Sequence, residues 1–157
     1  MPVLALVLLV VLGSALAKPA RDPVSGYGSS VLNLATQPPS STGTVTFFIR
    51  GEELTADLSV TVLTMTFSDE GVLHATALST LDFGCGDTFT TKDKIVGEPA
   101  GPGLSTVNES LKIIRGTGAY EGASGHLSIH GQMQFVSETE AVVTYEVRGA
   151  ISSVEAE

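Results

Sequence analysis

Residues 54–62 read L-T-A-D-L-S-V-T-V, and apolar and polar side chains alternate along them with a period of two. Leucine, alanine and valine occupy the even-numbered positions, whereas threonine, aspartate and serine occupy the odd-numbered ones. Because successive side chains of a β-strand point to opposite faces, the segment predicts a strand with one dry face and one wet face. The alternation continues one residue out of phase through Leu63, Met65 and Phe67, which predicts a β-bulge at Val62–Leu63 that helps the sheet to curl.

The same alternation recurs on both sides of this strand. It predicts seven further strands, at residues 28–36, 43–50, 71–80, 86–96, 104–114, 124–135 and 140–151. Turn-forming residues separate them, and no segment keeps the helical spacing of apolar residues over three turns. Eight strands with short connections predict an all-β fold, a single antiparallel eight-stranded barrel, with a two-sheet β-sandwich as the alternative.

Charge and cysteine content restrict the partners of the chain. Its 157 residues suit one domain, and 17 acidic against eight basic residues give a formal net charge of −9. An anionic protein repels phosphate backbones and anionic lipid, so we expect no nucleic acid partner and no polybasic membrane binding. The single thiol, Cys85, cannot form an internal disulfide, and its setting in F-G-C-G-D is typical of a turn or packing residue.

The N-terminal segment has the pattern of a secretory signal peptide. Residues 3–12 are apolar, and the small-x-small triplet Ala15-Leu16-Ala17 precedes the charged Lys18. The run is too short for a transmembrane helix, although no basic residue precedes it, and an uncleaved anchor is the alternative. We therefore predict a signal peptide at residues 1–17, a flexible leader at 18–27 and a β-barrel domain at 28–157. The mature protein is expected to be secreted, or periplasmic in a Gram-negative source, without stable membrane insertion.

Residues 115–132 read R-G-T-G-A-Y-E-G-A-S-G-H-L-S-I-H-G-Q. This segment resembles the G-T-G-x-[FY]-x-G-A-x-G motif of the allene oxide cyclase and dirigent barrels. The matching positions are Gly116, Thr117, Gly118, Tyr120, Glu121, Gly122, Ala123 and Gly125. The resemblance implies a barrel in which these residues have a structural role, and a hydrophobic small molecule in its lumen. No segment before residue 115 matches the active-site residues of that group, so the catalytic residues are unknown.

The motif also has a physical interpretation of its own. Gly116 and Gly118 allow a tight turn, because glycine adopts backbone angles that other residues avoid. The ring of Tyr120 can close one end of the barrel while its hydroxyl remains in water. Gly122 and Gly125 permit the next strand to start against a closely approaching backbone.

Few side chains suggest chemistry. His126, Ser128, His130 and Gln132 share one face of a predicted strand, which is either solvent-facing or, as the sharper hypothesis, a ligand-binding row in the lumen. The two histidines lie too far apart to chelate one metal ion, and neither a metal nor a cofactor is expected. No nucleophile elbow or phosphate loop is present. Asn108-Glu109-Ser110 fits a glycosylation acceptor at Asn108.

Two functions remain open on these grounds. The first is a secreted barrel that binds, and isomerises or orients, a hydrophobic small molecule in its lumen by confining one conformer. The second is a non-enzymatic exported protein that acts through homo-oligomer or partner contacts. A ligand-sized apolar cavity favours the first function, whereas a lumen filled by side chains favours the second.

We predict cleavage after Ala17, because the small-x-small triplet directly follows the apolar run. N-terminal sequencing of protein recovered from the medium or periplasm should begin at Lys18. A product that stays in the cytosol with Met1 in place would contradict the prediction.

Overall fold

The computed structural model describes residues 20–152, so the predicted signal peptide lies outside the described residues. Within this range the chain forms β-strands almost throughout, and no helix is long and apolar enough to cross a membrane. The strands are β1 (Arg21–Asn33), β2 (Ser40–Ile49), β3 (Glu52–Phe67), β4 (Leu73–Asp82), β5 (Thr88–Gly101), β6 (Leu104–Thr117), β7 (Ser124–Phe135) and β8 (Glu140–Ser152). A 3₁₀ turn at Gly118–Tyr120 lies between β6 and β7.

Each strand pairs antiparallel with its neighbour in the chain, and β1 pairs with β8 to close the barrel. Val24, for example, lies opposite Ile49 of β2 and opposite Gly149 of β8. The predicted eight-stranded antiparallel barrel is therefore confirmed, and the β-sandwich alternative is wrong. Closure leaves no strand edge without a hydrogen-bonding partner strand.

All eight predicted strands are present, with differences at their ends. The pairing of β3 with β4 shifts between Val62 and Thr64, which confirms the predicted bulge. The prediction of a flexible leader over residues 18–27 is wrong for residues 21–27, since β1 begins at Arg21. Its proline and glycine content suggested a loop, but this segment pairs with β2 and β8 along the seam that closes the barrel.

Four aromatic rings close one end of the barrel, and we name them the aromatic plug: Phe47, Phe83, Phe89 and Tyr120. The Tyr120 ring centroid lies 4.7 Å from that of Phe83 and 5.4 Å from that of Phe89, the latter in edge-to-face geometry. Offset and edge-to-face contacts of this kind are favourable between aromatic quadrupoles. Tyr120 is half-buried, and its ring packs against the core cluster at this end of the barrel.

The glycine motif is attached to the loop between β4 and β5. The Asp87 carboxylate accepts a hydrogen bond from the Ala119 amide at 2.9 Å, and the Thr117 hydroxyl donates to the Gly86 carbonyl at 2.7 Å. Gly118 has a φ of +59°, and a Cβ there would collide with Asp87. These contacts support the structural role predicted for the motif, because they hold Tyr120 over the barrel end.

The plug generates a stability prediction. Tyr120→Ala should lower the free energy of unfolding by roughly 1–3 kcal/mol, less than a fully buried aromatic because the ring is half-buried. Gly118→Val should also lower the melting temperature, since a left-handed backbone angle and a blocked Cβ position act together. Tyr120→Phe keeps the ring contacts and should melt within about 1 °C of the wild type. Thermal unfolding of the three variants is the measurement; a Tyr120→Ala protein as stable as the wild type would exclude the plug.

Candidate functional site

The inward side chains of the strands surround a narrow cavity of about 90 Å³. Its wall is mostly aliphatic and runs from Phe47 and Leu81 beside the aromatic plug to Leu32, Met65 and Met133 towards the other end. Polar groups interrupt this wall at middle depth. They come from Ser30, Ser41, Ser79, Glu109 and Tyr145.

Two acidic residues of adjacent strands face inward, and we name Asp93 of β5 and Glu109 of β6 the carboxyl pair. Asp93 lies directly opposite Leu111, and Glu109 is two residues away from Leu111 on the same face of β6. The two carboxyl groups are therefore diagonal cross-strand neighbours, which lie within reach of each other. Asp93 is fully buried, whereas the partly accessible Glu109 lines the cavity.

The Ser79 hydroxyl of β4 donates a short hydrogen bond to Asp93 Oδ2. Ser79 is itself buried, so this bond fixes one oxygen of the Asp93 carboxyl group inside the barrel. A hydrogen bond to the ionised form favours ionisation and offsets part of the cost of burial. Ser79 thus makes Asp93 the more acidic member of the carboxyl pair.

Burial and the neighbouring Asp93 charge raise the pKa of Glu109 to about 8. Burial also raises the pKa of Asp93, against the opposing effect of its hydrogen bond from Ser79. Two carboxylates in one apolar site repel each other, so they retain a proton that neither would hold alone. At neutral pH Glu109 therefore retains its proton.

Tyr145 of β8 lines the same lumen cavity, two strands away from Glu109. It lies opposite Gly28 of β1 on one side and Gly131 of β7 on the other. A Cβ at Gly28 would come within 2.7 Å of the Tyr145 ring, so the two glycines make room for this side chain. Burial and the charge of Glu109 raise the pKa of Tyr145, and its phenol remains protonated at neutral pH.

Two buried polar atoms in the cavity wall, Ser41 Oγ and Tyr145 Oη, have no hydrogen-bond partner among residues 20–152. An unpaired buried polar atom costs about 1–3 kcal/mol, and native proteins usually satisfy such atoms with protein, water or ligand groups. The lumen is therefore prepared to receive a guest that forms hydrogen bonds.

The histidine row predicted as a ligand site lies outside the lumen. His126, Ser128, His130 and Gln132 are exposed on the outer face of β7, while Leu127, Ile129 and Met133 point inward. The hypothesis of a lumen-lining row is thus wrong, because the alternation on β7 places the aliphatic residues in the core. His130 Nδ1 instead lies 2.7 Å from the side-chain oxygen of Asn108, the predicted glycosylation residue, which is also exposed.

The other candidates from the sequence lie at the plugged end. Cys85 is exposed in the β4–β5 loop with a φ of +55°, where it follows the turn residue Gly84. Glu121 is exposed directly after the 3₁₀ turn. Neither side chain lines the lumen cavity.

Sequence reasoning missed the carboxyl pair and Tyr145. The available signal was the alternation of inward and outward side chains along each strand. Glu109 has the same inward phase on β6 as Val107 and Leu111. Asp93 likewise follows the inward phase of β5, between the outward residues Lys92 and Lys94. An acidic residue in the apolar phase of a strand is thus the pattern that marks a polar site in a barrel lumen.

The carboxyl pair makes stability depend on pH. The raised pKa means that folded protein binds more protons than unfolded protein between about pH 5 and pH 8. The free energy of unfolding should therefore fall as pH rises through this window, by on the order of a few kcal/mol. Glu109→Gln keeps the side-chain shape without the titration and should flatten the profile, as measured by urea denaturation at several pH values.

Glu140→Gln, at an exposed position at the start of β8, is the matched control and should retain the wild-type profile. A wild-type protein that gains stability between pH 5 and pH 8 would contradict the assignment. So would a Glu109→Gln profile as steep as that of the wild type.

No protein-family model matches the chain, and no curated protein sequence matches it. Among solved structures, it is similar to a pterocarpan synthase dirigent protein. The two share 14% sequence identity over 94% of this chain and 96% of that one, with a TM-score of 0.43. A likeness of this size carries no information about what the present chain binds.

Proposed function

We propose that this chain is an exported barrel that binds and orients a slim, mostly apolar small molecule in its lumen. The observation that supports the proposal is the presence of two unpartnered polar atoms, Ser41 Oγ and Tyr145 Oη, in the wall of an otherwise aliphatic cavity. Pockets of this composition are typical of small-molecule sites, where a few polar groups fix the orientation of an apolar ligand.

The polar groups specify the reactive end of the ligand. Protonated Glu109 and the Tyr145 phenol are both donors, and they line the lumen from strands β6 and β8, which are separated only by β7. Two donors of this kind suit an oxygen that accepts hydrogen bonds, such as a carbonyl or an epoxide oxygen. A carboxylate ligand is disfavoured, because it would meet the charge on Asp93.

The width of the lumen limits the ligand further. A cavity of about 90 Å³ is smaller than the roughly 300–1,000 Å³ of typical ligand pockets, so side chains fill most of the lumen and leave room only for the head of a guest. The rest of the molecule would extend away from the plug, past Met65 and Met133. Methionine side chains have several soft torsions and adapt to irregular ligands, so this end of the lumen can widen.

The same geometry supports proton chemistry on a bound ligand. Glu109 can give its proton to an oxygen that gains negative charge. Before the reaction, the neighbouring Asp93 carboxylate helps to keep Glu109 protonated. Tyr145 would hold that oxygen in place, and the walls would restrict the chain to few conformers. Isomerisation of an epoxide or control of a coupling reaction would both use these elements.

The binding proposal is tested with methyl heptyl ketone, and with nonane as the probe of equal length that lacks the oxygen. The ketone should raise the melting temperature of the wild type with the logarithm of its concentration above the dissociation constant, because it binds the folded state. Tyr145→Phe should weaken ketone binding by about tenfold, the equivalent of one lost buried hydrogen bond of about 1.4 kcal/mol. Isothermal titration calorimetry supplies the affinities.

Ser110→Ala, on the outer face of β6, is the control and should bind the ketone like the wild type. A filled-lumen variant, Ala75→Phe, should fail to bind either probe. The proposal is abandoned if the wild type binds neither probe, or if Tyr145→Phe binds the ketone with unchanged affinity.

An exposed aromatic pair supports a second candidate, a non-enzymatic role through contacts with another copy or a partner. Tyr27 of β1 is 55% exposed and Phe48 of β2 is 39% exposed, and their ring centroids lie 6.3 Å apart. Val31, 40% exposed, lies on the same outward side of β1. Aromatic residues clustered on a surface are typical of protein interfaces.

A further inference from the structure

Basic residues gather on one outer face of this acidic protein, across β5, β6, β7 and β8. We name this set the basic patch, and its members are Lys92, Lys94, Lys112, His126 and Arg148. It contains four of the eight lysine and arginine residues of a chain whose net charge is −9. All five side chains are exposed. These basic side chains therefore form one local cluster on the outer surface of an otherwise acidic protein.

The strand register brings these charges into direct opposition. Lys92 lies opposite Lys112, and Lys112 lies opposite His126 on its other side. Directly opposed residues on antiparallel strands have Cα atoms about 4.5–5.5 Å apart, and like charges in such pairs are destabilising. The repulsion between Lys92 and Lys112 therefore lowers the stability of the isolated fold, and a bound anion would relieve it.

Nearby acidic groups do not neutralise the patch. Among the described residues, Arg148 forms the one ion pair of these five side chains, with Glu146 at 3.9 Å. Both partners of that pair are largely exposed, so it contributes little. Glu109 lies on β6 between the outward residues Asn108 and Ser110, but its side chain follows the inward phase of the strand and lines the lumen cavity.

Hydroxyl groups accompany the charges. Ser110 and Ser128 are exposed and directly opposed on β6 and β7, and Ser128 lies opposite Arg148 on β8. The two serines line a shallow depression in the outer surface together with Lys94, His130 and the neighbouring Asn108 and Glu109. The Lys94 ammonium and the hydroxyl donors of this depression, with the Arg148 guanidinium on the adjoining strand, suit a tetrahedral oxyanion, which accepts several hydrogen bonds at once.

We propose that the basic patch binds a sulfate-bearing polysaccharide. The spacing of its cations over four strands fits a ligand with several anionic groups rather than one. A protein partner is disfavoured because the patch offers no aromatic anchor, and the exposed Tyr27 and Phe48 lie on β1 and β2. A nucleic acid strand is disfavoured because the patch has no ring on which bases could stack.

The overall negative charge does not prevent this binding. At an ionic strength of about 0.15 M the Debye length is about 8 Å, so distant acidic residues are screened from a ligand on the patch. Several close cations then determine the local potential. Binding should consequently weaken steeply as salt is added. Each protein cation that binds the polyanion releases a counterion, and added salt opposes this release.

The test uses fluorescently labelled dextran sulfate, with neutral dextran and an oligothymidylate as comparison probes. Lys112→Gln removes the central charge of the patch, and Arg21→Gln, at the exposed start of β1, makes the same change in net charge elsewhere. Fluorescence anisotropy in increasing sodium chloride gives the affinities. Thermal unfolding of both variants accompanies the titration, and Lys112→Gln should melt no lower than the wild type because a like-charge pair is relieved.

The wild type should bind dextran sulfate and not neutral dextran, with a dissociation constant that rises with salt. Lys112→Gln should weaken binding roughly fivefold and lower the salt dependence by about one ion, whereas Arg21→Gln should weaken it by less than about twofold. Equal effects of the two substitutions would overturn the proposal. So would absent binding of dextran sulfate, or tighter binding of the oligothymidylate.

Discussion

The pairing of β1 with β8 is the interaction on which the other properties of this protein depend. Their register runs from Arg21 opposite Ser152 to Asn33 opposite Glu140, so the seam is hydrogen-bonded along its length. A closed wall keeps bulk water away from the inward side chains, which gives the lumen a low effective dielectric. The raised pKa of Glu109 and the protonated state of the carboxyl pair both follow from that enclosure.

The barrel was accessible from sequence because period-two alternation reports directly on the two faces of each strand. The site was not, because it consists of exceptions to that alternation. Glu109 is the middle residue of a glycosylation triplet whose other two members point outward, yet its own side chain follows the inward phase of β6. The histidines suggest chemistry by residue type, but their strand turns them to solvent. The inward or outward phase of a position along its strand predicted the location of a side chain better than its residue type did.

The beginning of β1 shows a second limit of sequence reasoning. Pro23, Gly26 and Gly28 suggest a loop when they are considered locally. In the barrel they lie at the seam, where β2 and β8 pair with this strand on its two sides. The absent side chain of Gly28 leaves space there for the ring of Tyr145. A local propensity was overridden by a pairing of residues more than 100 positions apart in the chain, which a single sequence does not display.

Tyr145 and the two glycines beside it place a joint restriction on how this sequence can change. Gly28 leaves the space that the Tyr145 ring occupies, and Gly131 leaves space beside the Cβ of Tyr145. A Cβ at either glycine would also meet a backbone carbonyl oxygen, that of Thr44 for Gly28 and that of Thr144 for Gly131. In descendants of this chain both glycines should therefore persist even where the tyrosine is replaced, and an engineer who relocates the phenol gains no freedom at the two positions beside it.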